Sequence, residues 1–209
     1  MNPSFWDERY GHTAEYVFGT APNAFLEQCA ERIPAGGPVL CLAEGEGRNA
    51  VYLAGRGHPV TAVDQSSVGL EKAVRLASAR SVMIGTELAD LGDYIIEPGV
   101  WAAVVVIFAH LTPELRARVH AAAVEGLRPG GVLILEAYHP EQLRLRTGGP
   151  MGAPEMLMTL EMLRGDLAGL DLEIAQEIER DVLEGCAHTG RAAVVQVCGR
   201  KPHAVVGSS

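Results

Sequence analysis

The chain has little that would tie it to a polyanion, a membrane or an oxidising compartment. Its 17 Lys and Arg are outnumbered by 26 Asp and Glu, giving a formal net charge of −9. That balance works against a phosphate backbone or an anionic bilayer, which need a concentrated basic face. No run reaches the roughly 18 consecutive apolar residues of a membrane span, and residues 1–11 carry charges in place of an apolar leader core. The four cysteines (Cys29, Cys41, Cys186, Cys198) form no C-x-x-C pair and have no histidines at zinc-ligand spacing, which argues for free thiols in a reducing compartment and no metal. These absences set the expectations of a cytoplasmic protein with neither a nucleic-acid nor a membrane partner.

Aromatics are scarce, at 5% of residues, and five of them (Phe5, Trp6, Tyr10, Tyr16, Phe18) crowd into the first twenty positions. Such a segment reads as a cover, either a lid over a site or an arm packed on the core. The remaining chain is apolar enough, at 48%, to bury a continuous core, and its length of 209 residues fits one domain over 1–209.

Strand-like and helix-like segments alternate. A helix is expected over 22–33, a strand over Val39–Ala43, a helix from the glycine loop to Gly57, and a strand over Val60–Val63 ending at Asp64. Leu70, Ala73, Val74 and Ala77 repeat at helical spacing. Strands over Val82–Leu88 and Val100–Phe108 come next, then a helix opened by Thr112-Pro113-Glu114 and stopped at Pro129-Gly130-Gly131. Val132–Tyr138 is a strand, 139–154 a loop, and Glu155–Leu167 a helix. Leu170, Leu172 and Ile174 alternate with acids and pair with Ala192–Cys198 as an antiparallel hairpin, with His188-Thr189-Gly190 as its turn. The pattern implies a doubly wound, mostly parallel α/β sheet of the Rossmann-like kind, whose ligands bind beyond the strand carboxyl ends.

Gly45-Glu46-Gly47-Arg48-Asn49-Ala50 fits G-x-G-x-x-A, and Asp64 follows nineteen residues after Gly45. Alone, this is an adenosine-recognition signal that NAD and S-adenosylmethionine share. Glu44 and Glu46 favour the second, because two carboxylates repel a pyrophosphate and attract a sulfonium and an ammonium. Asp90, closing the third strand, suits an adenine amine of either ligand. An NAD-dependent oxidoreductase and a non-catalytic S-adenosylmethionine-binding protein remain as alternatives.

Leu42-Ala43-Glu44-Gly45-Glu46-Gly47-Arg48-Asn49-Ala50-Val51-Tyr52-Leu53-Ala54 and Val63-Asp64-Gln65-Ser66 resemble the class I methyltransferases of tellurite-resistance type, relatives of the thiopurine methyltransferases. Phe5-Trp6-Asp7-Glu8-Arg9-Tyr10, Ile107-Phe108-Ala109-His110-Leu111, Leu127-Arg128-Pro129-Gly130-Gly131 and Leu135-Glu136-Ala137-Tyr138 extend the likeness over most of the chain. The resemblance implies a seven-stranded class I fold, Glu44, Gly45, Glu46 and Gly47 around the methionine part of the donor, Asp64 on the ribose and Asp90 near the adenine. Asn49, Gln65, Ser66, Leu91 and Phe108 complete the expected cofactor set. Cys41-Leu42-Ala43-Glu44 departs from the Asp-x-Gly-x-Gly of many class I enzymes, and Trp101-Ala102-Ala103 from their aromatic-Asp.

For the acceptor the sequence offers candidates only: His110 and His139 after strand ends, Glu136 with Tyr138 at the end of the fifth strand, and Arg9, Arg144 and Arg146 in covering segments. The Asp/Asn-Pro-Pro-aromatic clamp for a flipped base and a Pro-Cys nucleophile are both missing. A small-molecule acceptor is therefore expected, a thiol or a selenium or tellurium oxyanion. Monomer and homodimer stand equally open.

Overall fold

A computed structural model describes residues 3–185 and 188–203. Among the described residues the α-helices and strands follow in the order α1 (Pro3–Gly11), α2 (Ala24–Cys29), β1 (Val39–Leu42), α3 (Arg48–Gly55), β2 (Val60–Asp64), α4 (Ser67–Ala79), β3 (Gly85–Leu88), β4 (Trp101–Ile107), α5 (Pro113–Gly126), β5 (Leu127–Tyr138), α6 (Gln142–Leu145), α7 (Leu160–Asp166), β6 (Asp171–Glu184) and β7 (His188–Arg200). The strands form one seven-stranded sheet in the order β3-β2-β1-β4-β5-β7-β6. The pairs from β3 to β5 are parallel, and β7 inserts antiparallel between β5 and β6. The chain steps outward from β1 to β3 and then crosses back to β4, so the order reverses between β1 and β4, where a crevice opens at the strand carboxyl ends.

Strand alternation divides the core into two layers. Val39, Cys41, Ala103, Val105, Val132 and Ile134 face α2 and α3, while Leu40, Leu42, Val104, Val106, Leu133 and Leu135 face α5 and α7. All four residues of β1 are buried, as expected for a central strand covered on both faces. Edge strand β3 is exposed throughout. No helix among the described residues is long and apolar enough to cross a membrane, and no cluster of His, Cys, Asp or Glu among them could hold a metal ion. Cys29, Cys41 and Cys198 are free and buried; Cys186 lies outside the described residues.

Several boundaries move from their expected places. Helix α5 ends at Gly126, and Pro129-Gly130-Gly131 is absorbed into β5 by a register shift between the Trp101 and Ala103 pairings, with the Gly130 N–H bonded to Lys201 O at 2.8 Å. Helix α7 starts five residues late. The Met158 N–H is held by Tyr138 O at 2.9 Å, and the Thr159 side chain caps Met162 N, so 154–158 cannot join the helix. The supposed loop contains α6. Strands β6 and β7 run 14 and 13 residues, far beyond the alternating apolar stretch, because polar and ionic pairs hold their outer halves together. His188-Thr189-Gly190 therefore lies in β7, paired with Glu184, Leu183 and Val182.

Candidate active site at the carboxyl end of the sheet

The turn out of β1 carries three left-handed residues, Ala43 (φ 51), Gly45 (φ 62) and Gly47 (φ 86). Across the crevice, Phe108 after β4 is also left-handed, at φ 52. Non-glycine residues in this conformation are strained, and such strain gathers at binding sites. Glu44 points back under α3: one carboxylate oxygen accepts the Asn49 and Ala50 N–H groups, each at 2.8 Å. It thus satisfies two of the orphan donors at the start of α3. Burial pushes its pKa up to about 7, against the pull of those two N–H groups and Arg48.

Asp64, at the end of β2, accepts Gly45 N–H and Ser66 N–H, both at 2.8 Å. Burial raises its pKa and these backbone donors partly offset the rise. Ser66 caps α4 through the Gly69 N–H and donates its own hydroxyl to Asp7 of α1 at 2.6 Å. Asp90 is exposed and accepts Gly92 N–H at 2.7 Å.

A cavity lies between these strand ends. Glu44, Asn49, Asp64, Gln65, Asp90, Leu91, Phe108 and His110 all line it, and the N-terminal segment roofs it with Trp6, Tyr10 and Phe18. The roof is fitted closely. A Cβ on Gly45 would lie 2.5 Å from the Tyr10 hydroxyl, so the loop tolerates only glycine beneath that ring. Trp6 stacks on Tyr10 (centroids 5.5 Å) and on His110 (6.4 Å), and His110 stacks in turn on Tyr138 (6.2 Å). Burial, helped by the positive charge of Arg9, lowers the His110 pKa to about 4, leaving a neutral imidazole at physiological pH.

Other expected residues stand apart from the cavity. Glu46 is buried in an ion pair with Lys72 at 2.7 Å and accepts Phe18 N–H at 3.3 Å, anchoring the roof. Glu136, fully buried, takes both oxygens to Arg180 and also accepts from Asn23 and Gln196; its short stem keeps the carboxylate in the sheet. His139 faces Glu177 at 3.4 Å. Arg144 pairs with Glu141 and Glu179 on the outer surface, and Arg146 ends α6 with φ 54. Arg9 packs its guanidinium over the Trp6 and Phe18 rings at 5.9 and 5.5 Å. The sequence marks the aromatic segment as a block and does not single out Tyr10; the i, i+4 spacing of Trp6 and Tyr10 is the signal that could have done so. Thr112, expected as a helix cap, makes no capping bond with its side chain and lines the cavity instead.

Residues 39–131 match a family model described as a methyltransferase domain. The matched stretch holds the glycine loop, Asp64, Asp90 and His110, so the methyltransferase reading falls on the cavity itself. Solved structures share the fold well beyond that stretch. A protein from a study of the conversion of a disulfide bond into a thioacetal group in echinomycin biosynthesis aligns with TM-score 0.78 and 18% identity, over 98% of this chain and 93% of its own. TehB from Haemophilus influenzae aligns with TM-score 0.71 and 17% identity, over 94% of this chain and 67% of its own. An S-adenosylmethionine-dependent methyltransferase from Methanosarcina mazei gives 0.66 and 14%, over 88% and 99%. At these identities the likeness is one of fold. No curated protein matches the chain in sequence.

Proposed function

We propose that the methyltransferase uses S-adenosylmethionine, bound across the β1–β4 crevice, to methylate a small uncharged soft nucleophile, a thiol. One observation carries this reading. Glu44, Asp64 and Asp90 end successive parallel strands on one cavity wall, and among the described residues lining that cavity no lysine or arginine appears. That donor set suits a cationic ligand with ribose hydroxyls and an adenine amine, and disfavours the pyrophosphate of NAD. The aromatic roof adds faces that attract a cation.

When bound, the cofactor supplies an electrophilic methyl group on a sulfonium. Asp64 accepts from the ribose hydroxyls, Glu44 offers its second oxygen to the ammonium, and Asp90 accepts from the adenine. Trp6, Tyr10 and Phe18 exclude water. His110, neutral, faces the cavity and accepts the hydrogen of the incoming thiol, whose lone pair then needs alignment more than a strong base. A selenium or tellurium oxyanion is the second reading. It draws on the fold shared with TehB and on Arg9, whose guanidinium lies over the Trp6 and Phe18 rings.

Calorimetry with S-adenosylhomocysteine and with NAD tests the cofactor, and binding of NAD alone overturns the reading. A screen of small thiols, selenite, tellurite and phenols, followed by detection of S-adenosylhomocysteine, tests the acceptor. Turnover confined to the oxyanions transfers the role to the second reading, and binding without any turnover favours a non-catalytic donor-binding protein.

A further inference from the structure

The β6–β7 hairpin extends past the sheet it completes. Pairing of β7 with β5 stops at Tyr138↔Val194, yet β6 and β7 continue together to Glu184↔His188. The outer half of the hairpin therefore projects over the ligand side of the sheet. Its tip meets the stem of the aromatic roof. At Gly185 (φ +69), a Cβ would lie 2.4 Å from Val17 O and 2.5 Å from Gly19 N and the Phe18 carbonyl carbon, so the two backbones are in direct contact there.

Next to that contact stands Glu184, 6% exposed. One of its oxygens accepts from Arg180 and Asn23, each at 2.9 Å, and the other from Arg48. Arg48 is the first residue of α3, directly after the glycine loop. Its second terminal nitrogen, Nη1, is buried with no hydrogen-bond partner among the described residues. Buried polar groups are as a rule hydrogen-bonded, so this open donor leaves room for a further partner beside the glycine loop. The other half of the network is already complete without it, because Arg180 holds Glu136 through two bonds inside the sheet.

We propose that Glu184 is a positioning residue that ties the donor loop to the aromatic roof of the cavity. Arg48 moves with the glycine loop, Glu184 moves with Arg48, and Gly185 carries the shift to Phe18, whose ring lies near Trp6 and Tyr10 (6.5 and 6.2 Å). The inference rests on the donor site proposed above, and its test uses S-adenosylhomocysteine as the probe.

In a Trp101→Phe parent, Trp6 is the sole tryptophan; the substitution removes an indole N–H that is itself buried without a partner among the described residues. S-adenosylhomocysteine should change Trp6 emission in this parent. Glu184→Gln should retain affinity for the probe within about threefold while losing more than half of the emission change, and Glu184→Asp should recover part of it. With a thiol found in the screen, Glu184→Gln should lower kcat about tenfold at constant KM for S-adenosylmethionine. Should Glu184→Gln fail to fold, Gly185→Ala perturbs the tip from the other side, by forcing its backbone away from residues 17–19, and should give the same loss of response. A full Trp6 response in a folded Glu184→Gln or Gly185→Ala protein overturns the linkage. So does a loss of probe affinity that tracks a loss of stability, which marks a purely structural pair. A parent that does not bind the probe at all overturns the donor site as well.

Discussion

Replacing Glu44 by glutamine should make the free protein more stable and a poorer binder, and the gain should depend on pH. The carboxyl is buried and its pKa stands near 7 in place of 4.5. At about 1.4 kcal/mol per unit, that difference amounts to roughly 3 kcal/mol. Because the folded-state value is the higher one, the native protein holds this proton more tightly than the unfolded chain. The stabilisation is therefore full below about pH 4.5 and is lost as pH rises through about 7. The glutamine side chain is neutral, has the same shape, and its carbonyl oxygen can accept the same Asn49 and Ala50 N–H groups. Urea unfolding of the two proteins at pH 5, 6, 7 and 8 should show the variant gaining on the wild type by up to about 3 kcal/mol between the lowest and highest pH. In the same series, S-adenosylhomocysteine affinity at pH 8 should fall about tenfold or more in the Glu44→Gln protein, since the ligand's ammonium loses its carboxylate. A stability difference that stays constant from pH 5 to 8, or undiminished binding, would refute the reasoning.

Asp64→Asn should weaken S-adenosylhomocysteine by about tenfold or more, because charge-assisted bonds to hydroxyls are worth roughly 1.5 to 3 kcal/mol each; isothermal calorimetry reads this, and unchanged affinity removes Asp64 from the site. The His110 imidazole should show no titration between pH 5 and 8 by NMR, since its pKa lies near 4, and an inflection near 6.5 would mean the aromatic stack is open in solution. Glu136→Ala should destabilise the fold by about 3 to 5 kcal/mol, because Arg180, Asn23 and Gln196 all lose a buried acceptor, with probe affinity per folded molecule intact; the reverse pattern would return Glu136 to the active site. Amide exchange of residues 5–18 should slow on adding S-adenosylhomocysteine if the roof is a lid, whereas equal rates would make it a fixed arm.

The parallel half of the sheet was legible because it obeys local rules. Short apolar runs closed by Gly45, Asp64 and Asp90 carry their own punctuation, and Asp64 follows Gly45 by the spacing that a β-α-β unit imposes. The antiparallel hairpin was legible as a pair of strands, but its length was not. The outer turns of β6 are mostly polar, and what makes them a strand is pairing with β7 and the Arg180–Glu184 ion pair, neither of which leaves a period in the sequence. Glu136 and Arg144 misled for a related reason: a carboxylate at a strand end or an arginine in a covering loop reads the same whether its partner is a ligand or another side chain. The role of Glu44 was half visible. Its charge was legible, but its two bonds to the start of α3 required the left-handed Ala43 that no composition rule supplies.

The insertion of β7 between β5 and β6 also sets a timetable for synthesis. Val132 of β5 waits for Arg200 before its outer edge is paired. At ~5–20 residues per second, a ribosome leaves that edge uncovered for several seconds. During that interval Leu133-Ile134-Leu135 presents an unpaired apolar strand, the kind of edge that recruits other chains. The nascent protein is thus most vulnerable to aggregation after its glycine loop, Asp64 and Asp90 have emerged and before its final hairpin closes, and slowing translation over residues 140–200 should lower its soluble yield.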